Sequence, residues 1–384
     1  METIERFFQE SKNSFFLFGP RGTGKTYWAK QFYPECFWIN LLDASTFQLL
    51  YAKPERLYDL VASHPQSNPI IIDEIQKAPA LLETVQWLMG DFPKKQFIMT
   101  GSSARKLRRK GVNLLGGRAS SKRMHPYMAA ELGKYFDFEQ ALDVGLLPVI
   151  WSAQNPKEAL HGYLHLYLQE EVQLEGLVRH LDAFYRFLEV MSFSQASVLN
   201  ISNVARECLI ERKTVDAYIQ ILEDLLIAFQ LNVFNKKAKR ELVSHPKFFY
   251  FDAGVFKAIR PRELLDTPEL MNGPALETLI GQHLRAWCDY SQGNHKLYYW
   301  QTRSKMEIDF IVHGESGLYA FEVKNSTKVK PEHLKALKIF GEDYPMSQRF
   351  LLYRGNQRDH HEGIFCIPCE EFLRKLVPDK LVQL

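Results

Sequence analysis

The chain has 384 residues, 46% of them hydrophobic and 24% charged, and a net charge of only +3. That length provides for two or three domains with ample apolar cores, and the small charge excludes a polycation, so any nucleic-acid site must be a local patch. Five scattered cysteines exclude a secreted disulfide framework, and no apolar run nears the ~18 residues that cross a bilayer. The start, Met1-Glu-Thr-Ile-Glu-Arg, is charged and lacks a signal-peptide core, so a soluble cytoplasmic protein without membrane contact is expected.

In chain order, the first element is a buried strand, Phe15 to Phe18, turning through glycines into a helix that begins near Lys25. Gly19, Pro20, Arg21, Gly22, Thr23, Gly24, Lys25 and Thr26 spell the phosphate-binding loop G-x-x-x-x-G-K-[ST] in the strand, loop, helix setting it requires. Glycines let successive backbone N–H groups face one anion, and the helix adds its positive end. Lys25 is expected on the β- and γ-phosphates of ATP, and the Thr26 hydroxyl on Mg²⁺. Pro69-Ile-Ile-Ile-Asp-Glu74 reads as a parallel strand buried on both faces with two carboxylates at its end. Asp73 is expected to hold Mg²⁺ through water, and Glu74 to orient or deprotonate the attacking water.

A further strand, Gln96 to Thr100, ends in Gly101-Ser102-Ser103. In the ATPase fold where such a strand separates the loop strand from the Asp-Glu strand, Thr100 or Ser102 senses the γ-phosphate; ordinary Gly and Ser turn chemistry is the competing reading. Arg105 to Arg123 then holds eight Lys or Arg and no acid. Within it, Gly116-Gly117-Arg118 places an arginine after a turn, suited to reach a neighbouring subunit's site or to join a solvated or DNA-facing basic patch, the reading that fits Arg105, Arg108 and Arg109 better.

Residues 1–125 are thus expected to form an α/β core, a parallel sheet wrapped by helices. Residues 126–180 show helical spacing and suggest a small lid. Residues 181–247 resemble a winged helix-turn-helix, with helices at Asp182 to Ser192, Ser202 to Cys208 and Lys213 to Leu226, and wing strands near Phe229 to Phe234 and Phe248 to Phe251. The linker Lys236-Lys-Ala-Lys-Arg240 is basic, but Asp216, Glu223 and Asp224 dilute the charge of the presumed reading helix, which leaves DNA contact and protein docking both open.

Residues 248–384 carry a second candidate site. Gly273-Pro274 opens a helix through Cys288 that contains Glu277, and strands follow at Leu297 to Trp300, Met306 to Val312 and Gly317 to Lys324. Strict alternation places Ile308, Phe310 and Val312 opposite Asp309 and Ile311, and puts Glu322 and Lys324 on one face. Glu277, Asp309, Glu322 and Lys324 fit the D…[DE]-x-K pattern of metal-dependent nucleases, with Asp309 and Glu322 as ligands of Mg²⁺ or Mn²⁺ and Lys324 acting on water. About three such triplets arise by chance in a chain this long, and Glu211-Arg-Lys213 is another, so strand context carries the inference. The competing reading is a structural ion pair between Lys324 and a carboxylate. Cys366-Ile-Pro-Cys369 stands without a second pair and reads as strand residues rather than a zinc site.

As an ordered set, Gly19-Pro-Arg-Gly-Thr-Gly-Lys-Thr26, Ile72-Asp-Glu74, Thr100-Gly-Ser-Ser-Ala-Arg-Lys-Leu107, Gly116-Gly-Arg118, Tyr167-Leu-Gln-Glu-Glu171, Phe249-Tyr-Phe-Asp-Ala-Gly254, Glu307-Ile-Asp309 and Phe321-Glu-Val-Lys324 resemble the bacterial and archaeal AAA-superfamily ATPases with a C-terminal PD-(D/E)xK nuclease-like domain. The resemblance spans nearly the whole chain. It implies an AAA+-type P-loop ATPase core, a winged-helix middle, a restriction-endonuclease-like α/β end and a homo-oligomer such as a hexameric ring. It implies no settled biological role. Two functions follow as expectations: an ATP-driven DNA-processing enzyme that translocates or remodels DNA, branched DNA included, and cuts it; or a nucleotide-gated switch that binds DNA or a partner without cutting.

Overall fold

A computed structural model describes residues 4–103, 114–165, 178, 181–236, 240, 242–261 and 268–381. Arg105, Arg108, Arg109, the Tyr167 to Glu171 segment and Lys237 to Lys239 lie outside the described residues. The chain divides into two compact units, residues 8–125 with 224–226, and residues 1–7, 126–223 and 227–384.

The first unit is a sheet of β1 (Phe15–Phe18), β2 (Phe37–Asn40), β3 (Ile70–Asp73), β4 (Phe97–Gly101) and β5 (Ser120–Arg123) in the order β2-β3-β4-β1-β5. Every pairing is parallel. The runs Phe-Phe-Leu-Phe, Ile-Ile-Ile-Asp and Phe-Ile-Met-Thr-Gly are buried throughout, which is why they read as continuous rather than alternating hydrophobic segments. As the ATPase arrangement requires, β4 separates the loop strand from the Asp-Glu strand. The edge strand β5 was not expected. Its Ser-Ser-Lys-Arg sequence is polar and largely exposed, so neither periodicity nor apolar content marks it, and only the pairing Phe15 with Ser120 through Phe18 with Arg123 defines it.

In the second unit, the segment expected as a lid forms helices Ala129–Leu132, Phe138–Val144, Pro148–Trp151 and Pro156–Tyr163. Next come helix Leu181–Ser192, strand β6 (Ser197–Val198), helices Ile201–Cys208 and Arg212–Asp224, and strands β7 (Ala228–Leu231) and β8 (Lys247–Tyr250). The three strands form an antiparallel sheet in the order β6-β8-β7. The domain boundary expected at 247 therefore falls on the first residue of β8.

The last part is a sheet of β9 (Lys296–Gln301), β10 (Glu307–Gly314), β11 (Gly317–Lys324), β12 (Gln348–Tyr353), β13 (Asp359–His361) and β14 (Ile364–Pro368), in the order β13-β14-β12-β11-β10-β9. Strands β11, β12 and β14 run parallel. Cys366 lies in β14 within the apolar core of this sheet and Cys369 is buried at the start of the next helix, so both sit as small core residues.

Two sequence expectations need correction here. The helix starts at Pro268 and continues to Tyr290, so Pro274 lies inside it rather than opening it. The Pro274 carbonyl accepts the Thr278 hydroxyl at 2.6 Å. Strict alternation also fails in β10, because its register against β9 shifts between Ile308 and Ile311. This shift puts Ile308 and Ile311 into one core cluster, and it spans Asp309 and Phe310.

His283 links this helix to the segment after residue 126. Its buried ring accepts the Ala129 N–H at Nε2 (2.9 Å), so Nδ1 carries the proton and donates to the Leu279 carbonyl (2.7 Å). Burial holds its pKa down to about 4, against the helping Leu279 bond. The folded state thus stays neutral where the unfolded chain, near 6.5, takes up a proton. The stabilisation is complete above pH 6.5, is lost progressively as pH falls to about 4, and amounts to about 3 kcal/mol at most. Unfolding measurements against a non-titrating His283→Asn variant are expected to show the wild-type advantage shrinking across that window; parallel curves would contradict it.

Candidate functional site

The phosphate loop leaves β1 at Phe18. Gly19 N–H donates to the Gly101 carbonyl (3.3 Å), and the Thr23 N–H and hydroxyl both donate to the Pro20 carbonyl (3.3 and 2.8 Å), which closes the loop on itself. Gly22 and Gly24 stand at φ 81° and 88°, in the left-handed region where a side chain is disfavoured. The helix Lys25–Phe32 begins there with no acidic residue in its first turn, so its positive end faces the loop uncancelled. The buried Lys25 ammonium donates to the Gly19 and Pro20 carbonyls at 2.6 and 3.1 Å, and Arg21 is exposed on the loop.

The strand ends bring the carboxylates to this loop. Thr26 Oγ1 donates to both Asp73 oxygens at 3.2 Å, and the buried Thr100 hydroxyl donates a short bond to Asp73 Oδ1. The same Thr100 oxygen accepts the Glu74 N–H at 3.1 Å. Burial raises the Asp73 pKa above the ordinary carboxylate value and the Glu74 charge adds to this, while the Thr100 and Thr26 hydroxyls work against them. Glu74 has φ 60° and ψ 46°, a left-handed conformation unusual for a side-chain-bearing residue, which turns the chain sharply as β3 ends.

Gln76 is the residue that sequence reasoning missed here. Its side-chain amide donates a short bond to Glu74 Oε2 and a second, of 3.1 Å, to Ser102 Oγ. Gly101 makes room for it, since a Cβ there would stand 2.6 Å from Gln76 Oε1. A polar residue two positions after Glu74 was the available signal, but its pairing with Ser102 spans 26 residues and is set by the β3 to β4 contact. Arg118 is exposed and donates to the Gln86 carbonyl at 3.3 Å.

The second site gathers Glu277, Glu307, Asp309, Glu322 and Lys324 around a residue absent from the sequence expectation, Lys247 of β8. The Lys247 side chain is fully buried; its ammonium makes a short ion pair with Glu307, lies 3.3 Å from Asp309 Oδ1 and stands 4.0 Å from Glu277. Asp309 Oδ2 accepts the Val323 N–H at 2.9 Å. Lys324 lies 2.5 Å from Glu322 Oε1, the ion pair foreseen as the competing reading, although β11 is an inner strand. Glu322 Oε2 is buried with no hydrogen-bond partner. Burial alone would lower the Lys247 pKa, but Asp309, Glu277 and Glu307 reverse this and hold it charged. Burial, with the Asp309 charge, raises Glu277 well above its usual value and Glu322 to about 8.

The two sites respond differently to a divalent cation. At the phosphate loop, hard oxygens of Thr26 and Asp73 converge beside the helix N-terminus, a donor set that suits Mg²⁺. At the second site, lysine nitrogens already stand against Asp309 and Glu322, and among the described residues no group of three or more His, Cys, Asp or Glu side chains is arranged to hold an ion. The residues there do not fit a bound metal as they stand.

Residues 11–133 match the family described as "AAA domain", while residues 135–266 and 272–372 match domains of unknown function, DUF8612 and DUF4143. The chain is 24% identical to uncharacterized proteins of Mycobacterium bovis and Mycobacterium tuberculosis, over 96% of this chain and 82% of each relative. Among solved structures, the replication initiator DnaA bound to AMPPCP and single-stranded DNA is similar at 15% identity and a TM-score of 0.26, over 55% of this chain and 82% of that one. Protein VC1899 of Vibrio cholerae is similar at 11% identity and a TM-score of 0.23, over 84% and 93%. Scores this low carry no argument here.

Proposed function

We propose that the protein hydrolyses ATP and uses the cycle to move or remodel DNA as a homo-oligomer. The observation that carries this reading is the convergence of Thr26, Asp73, Thr100 and Glu74 on the edge where the phosphate loop opens. Loop N–H groups and Lys25 bind the β- and γ-phosphates, and Lys25 exchanges its two loop carbonyls for phosphate oxygens. Thr26 and Asp73 would hold Mg²⁺, which supplies neutralisation of phosphate charge. Glu74 orients the attacking water and accepts its proton. Thr100 is engaged by Asp73 and the Glu74 backbone, so it positions the acids, and Ser102, whose hydroxyl oxygen accepts the Gln76 amide, couples Gln76 to the end of β4.

DNA as the partner rests on the module between Leu181 and Tyr250. Its helix, strand, helix, helix, strand, strand order, with β8 between β6 and β7, supports a winged helix-turn-helix. Helix Arg212–Asp224 exposes Arg212, Lys213 and Gln220 beside Asp216, a face suited to sequence-tolerant contact. Arg240 of the basic linker is engaged by Asp343 (2.8 Å) and Glu342 (3.2 Å), so it contributes less to phosphate binding than the sequence implies.

For the C-terminal sheet two readings stand, metal-dependent cleavage and recognition without cutting. Lys247 within the carboxylates favours the second. The test measures ATP turnover and DNA integrity on single-stranded, duplex and four-way-junction DNA with Mg²⁺ or Mn²⁺, for wild type and Asp309→Ala. Turnover that rises several-fold with DNA left intact is the expected result. Cutting that disappears in Asp309→Ala would establish cleavage instead, and turnover indifferent to DNA, with no binding, would remove DNA as the partner.

A further inference from the structure

We infer that the Lys247 ammonium is the resident cation of the carboxylate cluster, standing where a nuclease of this pattern would bind its metal, and that its removal turns the cluster into a divalent-ion site. The inference deepens the non-cutting reading of the C-terminal module and rests on it.

Three observations carry it. The ammonium sits among the acids, against Glu307 and Asp309 and at 4.0 Å from Glu277, with the Tyr299 ring face 5.6 Å away. Its side chain is wholly enclosed and springs from β8, the middle strand of the three-stranded sheet, so the charge cannot swing aside without entering apolar surroundings, which is costly for an ammonium. The Asp309 oxygens are both engaged, one by Lys247 and the other by the Val323 N–H, and Glu322 Oε1 is engaged by Lys324. Glu322 Oε2 is the one oxygen of that pair left without a hydrogen-bond partner. A divalent ion entering between Asp309 and Glu322 would meet one oxygen without a hydrogen-bond partner and two ammonium groups. With Lys247 replaced by an uncharged side chain, the buried Asp309 and the half-buried Glu277 and Glu307 become an acidic group without its counter-charge. Such a group is either protonated or metal-bound.

The experiment is Mn²⁺ binding, followed by paramagnetic resonance and by thermal unfolding, on the full chain without nucleotide. Wild type is compared with Asp309→Asn, Lys247→Met and the double variant Lys247→Met with Asp309→Asn. Wild type and Asp309→Asn are expected to bind Mn²⁺ alike. Lys247→Met is expected to unfold at a lower temperature in chelator, to recover in millimolar Mn²⁺ and to gain about 10- to 100-fold in Mn²⁺ affinity, the size of change that partners of metal ligands exert. The double variant is expected to lose that gain. A wild-type Mn²⁺ site that disappears in Asp309→Asn would overturn the inference, and that comparison holds even if Lys247→Met does not fold. So would a folded Lys247→Met that gains no Mn²⁺ affinity. Neither outcome touches the stimulation of ATP turnover by DNA, so failure here and failure of the DNA-driven ATPase are told apart.

Discussion

Glu74→Gln is expected to lower the rate of ATP hydrolysis by about 10²- to 10⁴-fold while nucleotide still binds, the range for removing a group that takes a proton from the attacking water. The substitution is unusually clean in its surroundings. The carboxylate oxygen that Gln76 Nε2 holds is replaced by an amide oxygen that accepts the same bond, and glutamine tolerates the left-handed backbone about as well as glutamate does. The Glu74 N–H to Thr100 bond is a backbone contact and persists. A fall in kcat with unchanged affinity for a fluorescent ATP analogue separates chemistry from binding. Lys25→Ala is the complement: it removes the ammonium meant for the β- and γ-phosphates, and affinity should fall with it. Turnover that survives both variants would show that ATP hydrolysis is not performed at this loop.

The phosphate loop was legible because it is built from neighbours in sequence. Its function lies in backbone N–H groups and one helix end, and glycine spacing reports such geometry directly. The places of Asp73 and Thr100 at strand ends, though not the role of Thr100, were legible for a related reason: buried parallel strands announce themselves as apolar runs, and their last residues fall on one edge. What stayed hidden depends on pairings that no local pattern encodes. Gln76 gains its place from Ser102, and Lys247 gains its place from an acid 62 residues later. A lone lysine before Phe-Phe-Tyr-Phe looks like a strand-end charge bound for solvent, and only the packing of β8 beside the carboxylates makes it a buried ion. The register shift across Asp309 and Phe310 was invisible in the same way, since an irregularity in one strand is defined by its partner. Here the fold brings the C-terminal acids together, and Lys247 among them had no local signal.

Arg118→Ala is expected to reduce ATP turnover by about 10³- to 10⁵-fold, and to do so in trans. The strand register argues for a neighbour's site. Arg118 precedes Ser120, the partner of Phe15 at the start of β1, whereas the phosphate loop follows Phe18, the partner of Arg123. Three strand steps separate Ser120 from Arg123, about 10 Å at roughly 3.3 Å each, and Arg118 lies in the turn before them, so it stands at the end of the strand away from its own loop. An arginine side chain cannot span that distance, so Arg118 acts on a second copy or does not act in hydrolysis at all. Its exposure and single weak bond to the Gln86 carbonyl leave it free to swing outward from the Gly116-Gly117 turn. Wild-type turnover per subunit should therefore rise with protein concentration as copies assemble. Arg118→Ala subunits should still bind nucleotide and should poison wild type in mixtures, since each one disables a site that is otherwise complete. Activity that falls only in proportion to the wild-type fraction would place the transition-state cation elsewhere. Arg123, exposed at the loop-bearing end of β5, would then be the first residue to replace.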